Sequence, residues 1–144
     1  MKIYLAGRYD DIMLLRDVAF LLIQSGHVVT SRWLQGATPA PILPEELQKV
    51  AEEDLADIRE ADCFVLYSHT GLPLPTRQGH SVELGYAMAW TSDSKVYLVG
   101  ERTDNVFHYA ARVVHLPAWQ DLFDLLRVHG QLLQGGPHAT PKIH

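Results

Sequence analysis

Five short apolar runs, several of them β-branched, alternate with segments of helical length, and this alternation limits the chain to few architectures. The runs are Ile3–Ala6, His27–Thr30, Cys63–Tyr67, Lys95–Val99 and Val113–Leu116. Cys63–Tyr67 is apolar throughout, as in strands buried on both faces of a parallel sheet. Asp10–Gln24 carries Ile12, Leu15, Ala19, Leu22 and Ile23 at helical spacing, and Ser25-Gly26 closes it. Glu45–Glu60, His80–Trp90 and Ala118–Leu133 are the other predicted helices, while Glu101–Ala111 reads as a loop or a short helix. Trp33–Pro44 and Ser68–Gly79 are punctuated by Gly and Pro and read as loops. The prediction is an α/β, flavodoxin/Rossmann-like domain over residues 1–133: a five-stranded parallel sheet of order 2-1-3-4-5 with helices on both faces and right-handed crossovers. Residues 134–144, rich in Gly, Pro and His, read as a flexible tail.

Composition narrows the function classes. With 12 basic and 17 acidic residues the net charge is −5, so no nucleic acid polymer is expected as a partner, whereas a mononucleotide needs only one or two local cations. The single cysteine, Cys63, excludes an intramolecular disulfide and a zinc site built from several cysteines. The eight histidines show no metal spacing and Gly7 stands without a G-x-G-x-x-G pattern, so neither metal nor other cofactor is expected. The opening residues read as a strand and not a signal peptide, and no apolar stretch is long enough to span a bilayer; a cytoplasmic protein without a membrane partner is the expectation.

Ligands of such sheets bind beyond the carboxyl ends of the strands, at the point where the strand order reverses. Here that places Gly7-Arg8-Tyr9, Ser68–Ser81 and Gly100–His108 around one mouth. In the helix from His80, Glu83 is the only acid or strong base among apolar residues, and it falls in the predicted first turn, where the macrodipole favours a carboxylate. A helix apolar all round is expected to be buried. A capping acid is the competing reading for Glu83. Asp54 favours the functional one: at 100° per residue it lies within the stripe formed by Leu47, Val50, Ala51, Leu55 and Ile58, so its carboxylate faces the sheet. A helix-to-loop hydrogen bond is the alternative there. Two carboxylates at one pocket suit glycoside chemistry. Arg8 and Arg77, with Ser81 and the Gly79-His80 backbone at a helix start, suit an anion such as a 5′-phosphate. Tyr4 and Tyr9 flank the Gly7 turn, where their rings could stack on a base.

Three segments carry a resemblance: Ile3-Tyr4-Leu5-Ala6-Gly7; Asp54-Leu55-Ala56-Asp57-Ile58 followed by Ala61-Asp62; and Gly79-His80-Ser81-Val82-Glu83-Leu84-Gly85-Tyr86-Ala87, the most specific of the three. With them the chain, from Lys2 to about Trp119, resembles the nucleoside 2-deoxyribosyltransferase superfamily, which includes nucleoside 5′-monophosphate N-glycoside hydrolases. Arg77–Gly85 followed by Asn105–His108 is similar to a branch common among bacteriophage-encoded members. The resemblance implies that Glu83 is the nucleophile at C1′, that Asp54 assists base departure and that Tyr4 lies beside the glutamate. It also implies that Asn105 falls near a residue reaching a neighbouring subunit's pocket at the 5′ end of the sugar, and that the protein forms a homodimer or larger homo-oligomer. Arg77 departs from the pattern: transferases of free nucleosides carry an acid six residues before the nucleophile, and a cation there favours a phosphorylated substrate.

Together these readings predict cleavage of the N-glycosidic bond of a small-molecule nucleoside 5′-monophosphate or deoxynucleoside, by hydrolysis in preference to transfer. A non-catalytic nucleotide-sensing module of the same fold is the alternative.

Overall fold

The computed structural model describes residues 1–36, 43–69, 79–90, 93–130 and 132. Among them the strands are β1 (Lys2–Ala6), β2 (Val28–Val29), β3 (Cys63–Ser68), β4 (Lys95–Gly100) and β5 (Val113–Leu116). The helices are α1 (Ile12–Gln24), α2 (Pro44–Glu60), α3 (Gly79–Trp90) and α4 (Trp119–Leu126). All strand pairs are parallel and the sheet order is β2-β1-β3-β4-β5, the expected one. The chain thus reverses its direction of travel across the sheet between β1 and β3.

Strand alternation sorts the core into two layers. Ile3, Leu5, Cys63, Val65, Tyr97 and Val99 point to one face, where they meet Leu15, Val18 and Leu22 of α1 and Leu122, Phe123 and Leu126 of α4. Tyr4, Ala6, Phe64, Leu66, Val96 and Leu98 point to the other and meet Ile58 of α2 and Leu84 and Ala87 of α3. Each of the fully buried Leu, Ile and Val side chains contributes roughly 1.5–3 kcal/mol of transfer free energy.

Two expectations about the helices need correction. The final helix stops at Leu126, seven residues before the predicted end at Leu133, because Arg127 takes a left-handed conformation (φ 55°). Its N–H bonds the Asp124 carbonyl at 3.3 Å and the Val128 N–H bonds the Phe123 carbonyl at 2.8 Å, a Schellman closure that buries Val128. The tail, residues 134–144, lies outside the described residues. Helix α3, expected to be buried, is covered on one side only among the described residues. Leu84 and Ala87 are buried, while Val82 is 69% and Trp90 47% exposed. Elsewhere the differences are small: a 3-10 turn, Tyr9–Asp11, precedes α1, another occupies Arg32–Gln35, and Val106–Tyr109 is the short helical turn foreseen as one option for 101–111.

Two glycines hold the carboxyl edge of the sheet together. A Cβ on Gly7 would stand 2.8 Å from Leu15 Cδ1, so α1 packs where a side chain would be. Gly100 has φ +99°, and a Cβ there would stand 2.2 Å from the Ser68 carbonyl oxygen, which accepts the Glu101 N–H at 2.8 Å. Gly100→Ala therefore combines backbone strain with a collision that no side-chain movement relieves, and a loss of at least about 2 kcal/mol is expected. Chemical denaturation would measure it; an unchanged midpoint would contradict the left-handed turn after β4.

Candidate active site

Beyond the reach of β2, the edge of β1 is completed by side chains. Ser31 Oγ accepts the Leu5 N–H at 2.6 Å and Trp33 Nε1 donates to the Leu5 carbonyl at 2.8 Å. Trp33 therefore serves the sheet as well as the core. With β1 held this way, Tyr4 is fully buried, stacked on Phe64 at 5.7 Å between ring centroids, and its hydroxyl reaches out between α2 and α3.

That hydroxyl donates to Glu83 Oε1 at 3.0 Å. Asp54, part-buried on α2, faces the same hydroxyl. Tyr4, Asp54 and Glu83 thus form one cluster against the α2/α3 face of the sheet. Burial pushes Glu83 up to about 7; the charge of Asp54 adds to this and the Tyr4 hydrogen bond opposes it. Asp54 is pushed up to about 6, again chiefly by burial, with the Tyr4 hydrogen bond opposing and Asp57 and Glu53 adding to the rise. The phenol is held far above its ordinary range by burial and by both carboxylates, so it stays a hydrogen-bond donor.

The raised value for Glu83 corrects the expectation of a dipole-stabilised carboxylate. Helix α3 begins at Gly79, one residue before the predicted start, and Glu83 is its fifth residue, past the first turn. The macrodipole fades within that turn, so burial dominates. The same shift removes the capping reading of Glu83.

The remaining predicted residues divide into groups. Arg8, part-buried after β1, lies close enough to His80 to lower the pKa of that imidazole, though burial is the larger cause and Asp11 opposes both. Ser81 Oγ receives the Asn105 side-chain amide at 3.5 Å, so Asn105 reaches the start of α3 in its own chain. Gly79 is exposed, and Gly7 serves the packing of α1. Tyr9 packs with the core layer of α1 and α4, whereas Tyr4 lies in the layer of α2 and α3, so the two rings do not form one wall. Arg77 lies outside the described residues.

Three polar arrangements escaped the sequence reading. Asp57, buried one turn after Asp54, is fully partnered: Arg32 Nε at 2.8 Å and the Arg32 backbone N–H at 2.9 Å hold its two oxygens. The helical stripe that picked out Asp54 could have found it. His69 Nε2 lies 2.9 Å from Asp11 Oδ2, both side chains nearly inaccessible, a contact across 58 residues that spacing cannot reveal. The third is His108, buried beneath the loop that carries Asn105. A cleft of about 320 Å³ lined by Tyr67, His69, Glu101 and Trp119 opens at the carboxyl edge on the α4 side, not at Glu83. No group of three or more His, Cys, Asp or Glu among the described residues could hold a metal ion. Nor is any described helix long and apolar enough to cross a membrane.

The part-buried carboxyl of Glu83 makes stability pH-dependent. Folded, Glu83 keeps its proton up to about 7; unfolded, it releases it near 4.5. Its contribution is therefore complete below pH 4.5 and is lost as pH rises to 7. Glu83→Gln keeps an acceptor for Tyr4 without the charge. It should raise stability at pH 8 by about 1–3 kcal/mol and change little at pH 4. Thermal melts at the two pH values would test this, and equal effects at both would refute a part-buried, proton-holding carboxyl.

Comparison with known proteins finds no matching family model and no matching curated protein. Solved structures do match. A 2-deoxyribosyltransferase from the psychrotolerant bacterium Bacillus psychrosaccharolyticus superposes with a TM-score of 0.66 at 21% identity, covering 92% of this chain and 100% of that one. The CMP N-glycosidase BcmB of Clostridium botulinum superposes with a TM-score of 0.55 at 20% identity, covering 88% of this chain and 96% of that one. The chain shares its α/β fold with these two proteins.

Proposed function

We propose that this protein cleaves the N-glycosidic bond of a nucleoside 5′-monophosphate or deoxynucleoside, with Glu83 as nucleophile and hydrolysis favoured over transfer. The observation that carries the reading is the buried Tyr4 hydroxyl shared between Glu83 and Asp54, at the reversal of strand order. Two carboxyls of raised pKa around one immobile donor form an acid–base pair of the kind that glycoside cleavage uses. The fold shared with a 2-deoxyribosyltransferase and a CMP N-glycosidase supports the same bond as target.

In the proposed reaction ionised Glu83 attacks C1′. The C1′–N bond breaks, its electron pair stays on the base nitrogen, and protonated Asp54 supplies the proton that lets the base leave. Asp54, now a carboxylate, takes a proton from water as the water oxygen attacks C1′ and frees Glu83. A second base in place of water gives transfer. Arg8, His80 and Ser81, with Arg77 and the backbone at Gly79, hold the 5′ end. Tyr4 keeps a hydrogen bond on the nucleophile and so favours its ionised form. The proposed homo-oligomer is supported by the apolar surface left open on α3 and on the turn after β4, where Val82, Val106, Phe107 and Tyr109 are all more than half exposed.

Chromatography of reactions on nucleosides and 5′-monophosphates, with and without a free acceptor base, tests the reading. Wild type should release free base from monophosphates, Glu83→Ala should release none, and Asp54→Asn should slow release by about 10²–10⁴-fold. Base exchange on free nucleosides would favour transfer. Ligand binding without turnover in wild type would leave a sensor.

The pH profile adds a sharper test. The reactive form needs Glu83 ionised and Asp54 protonated, although Glu83 has the higher value, about 7 against about 6. kcat/KM should therefore trace a bell with its maximum between these values, falling at acid pH as Glu83 gains a proton and at alkaline pH as Asp54 loses one. A plateau that persists to pH 9 would remove Asp54 as the acid.

A further inference from the structure

The loop after β4 is organised around a buried histidine. His108 is 3% exposed, and its Nδ1 accepts the Thr103 backbone N–H at 3.2 Å. Accepting there leaves Nδ1 without hydrogen, so the imidazole is neutral with its proton on Nε2. Thr103 Oγ1 lies 3.3 Å from the same nitrogen and accepts the Asn105 N–H at 3.2 Å, so its hydroxyl hydrogen is available to Nδ1. The Asn105 carbonyl accepts the His108 N–H at 3.0 Å. Asn105 Oδ1 accepts the Phe107 N–H at 3.0 Å, which turns the amide NH₂ toward Ser81 Oγ at 3.5 Å, two residues from Glu83. The Thr103 N–H, which can only donate, requires an unprotonated Nδ1.

We propose that His108 is a positioning residue: through Thr103 it holds the Asn105 amide at the start of α3, where that amide binds the sugar–phosphate end of the substrate. The proposal rests on the N-glycosidase reading for the substrate and on the hydrogen bonds alone for the positioning. Protonation at Nδ1 would turn a donor toward the Thr103 N–H, set two hydrogens against each other and free the loop. The charges facing His108 are His80 from α3, His115 from β5, and Arg102 and Asp104 from its own loop. The first three oppose protonation along with burial, and Asp104 favours it, leaving a lowered pKa. The loop is thus set at neutral pH and released in acid.

Steady-state kinetics on a nucleoside 5′-monophosphate separates positioning from chemistry. His108→Leu removes the acceptor, and Thr103→Val, a smaller change, removes the hydroxyl link. Each should raise KM about five- to tenfold, as for one lost neutral hydrogen bond, with kcat within about twofold of wild type. His108→Asn offers Oδ1 in place of Nδ1 and does not titrate. It should keep the wild-type KM at pH 7 and lose the rise in KM that wild type shows toward pH 5. Unchanged KM in Thr103→Val, an equal fall of kcat in both variants, or an acid-side rise that survives His108→Asn would overturn the proposal. If His108→Leu does not fold, Thr103→Val and His108→Asn still decide.

Nitrogen-15 NMR of the free protein reads the same relay without substrate. The His108 ring should show the Nε2–H tautomer, and the Asn105 side-chain amide signals should shift with the pKa of His108. Independent titration of the two would overturn the positioning role whatever the enzyme acts on. Coupled titration in a protein that turns over no nucleotide would keep the relay and discard the N-glycosidase reading.

Discussion

Parallel pairing of β1 with β3, in the register that sets Tyr4 beside Phe64, decides which face of the sheet every later side chain serves. A slip of one residue would exchange Ile3 and Leu5 for Tyr4 and Ala6 and carry the phenol to the α1/α4 layer. The register is guarded on its open side by little strand. β2 has two residues, paired at Lys2–Val28 and Ile3–Val29. The Leu5 backbone groups are instead satisfied by Ser31 and Trp33, and the segment bearing those residues is tied to α2 through Arg32 and Asp57. Side-chain hydrogen bonds there perform the work of a longer strand, and α2 is drawn against β1 at the same time. Asp54 is brought to Tyr4 by this tie.

Much of the fold was legible because burial on both faces writes itself into sequence. Cys63–Tyr67 could be read as a central strand from composition alone, and the strand order followed from alternation and the short connections. The end of α4 was not legible. Its stop depends on Arg127 entering a left-handed conformation that sequence rules assign to glycine, and it is fixed by Val128 packing under the helix. The one-sided burial of α3 was hidden for a related reason, since an apolar helix looks the same whether its second face meets the same chain or another surface.

The residues of the candidate cluster could be picked from sequence, but their electrostatics could not. Helical phase located Asp54, and the isolated charge of α3 located Glu83. Their proton affinities could not be read, because these depend on distance and on depth. One turn of helix separates Asp54 from Asp57, yet among the described residues only Asp57 is gripped by a cation, Arg32. Contacts spanning many residues, such as Asp11 with His69, leave no periodic trace at all.

Proton accounting at Tyr4 links these levels. A phenol supplies one hydrogen; when it goes to Glu83, Asp54 can share that oxygen comfortably only by bringing a hydrogen of its own. A protonated Asp54 beside an ionised Glu83 satisfies all three groups; two carboxylates would leave one facing lone pairs, and two neutral acids would leave no anion for Tyr4 to stabilise. Yet burial gives Glu83 the higher proton affinity. The hydrogen-bond pattern and the desolvation therefore favour different holders of the proton. A positive charge developing beside Glu83 would stabilise its carboxylate and settle the proton on Asp54. Under the proposed reaction, a site balanced in this way would be converted to its reactive protonation state by the very charge the chemistry creates.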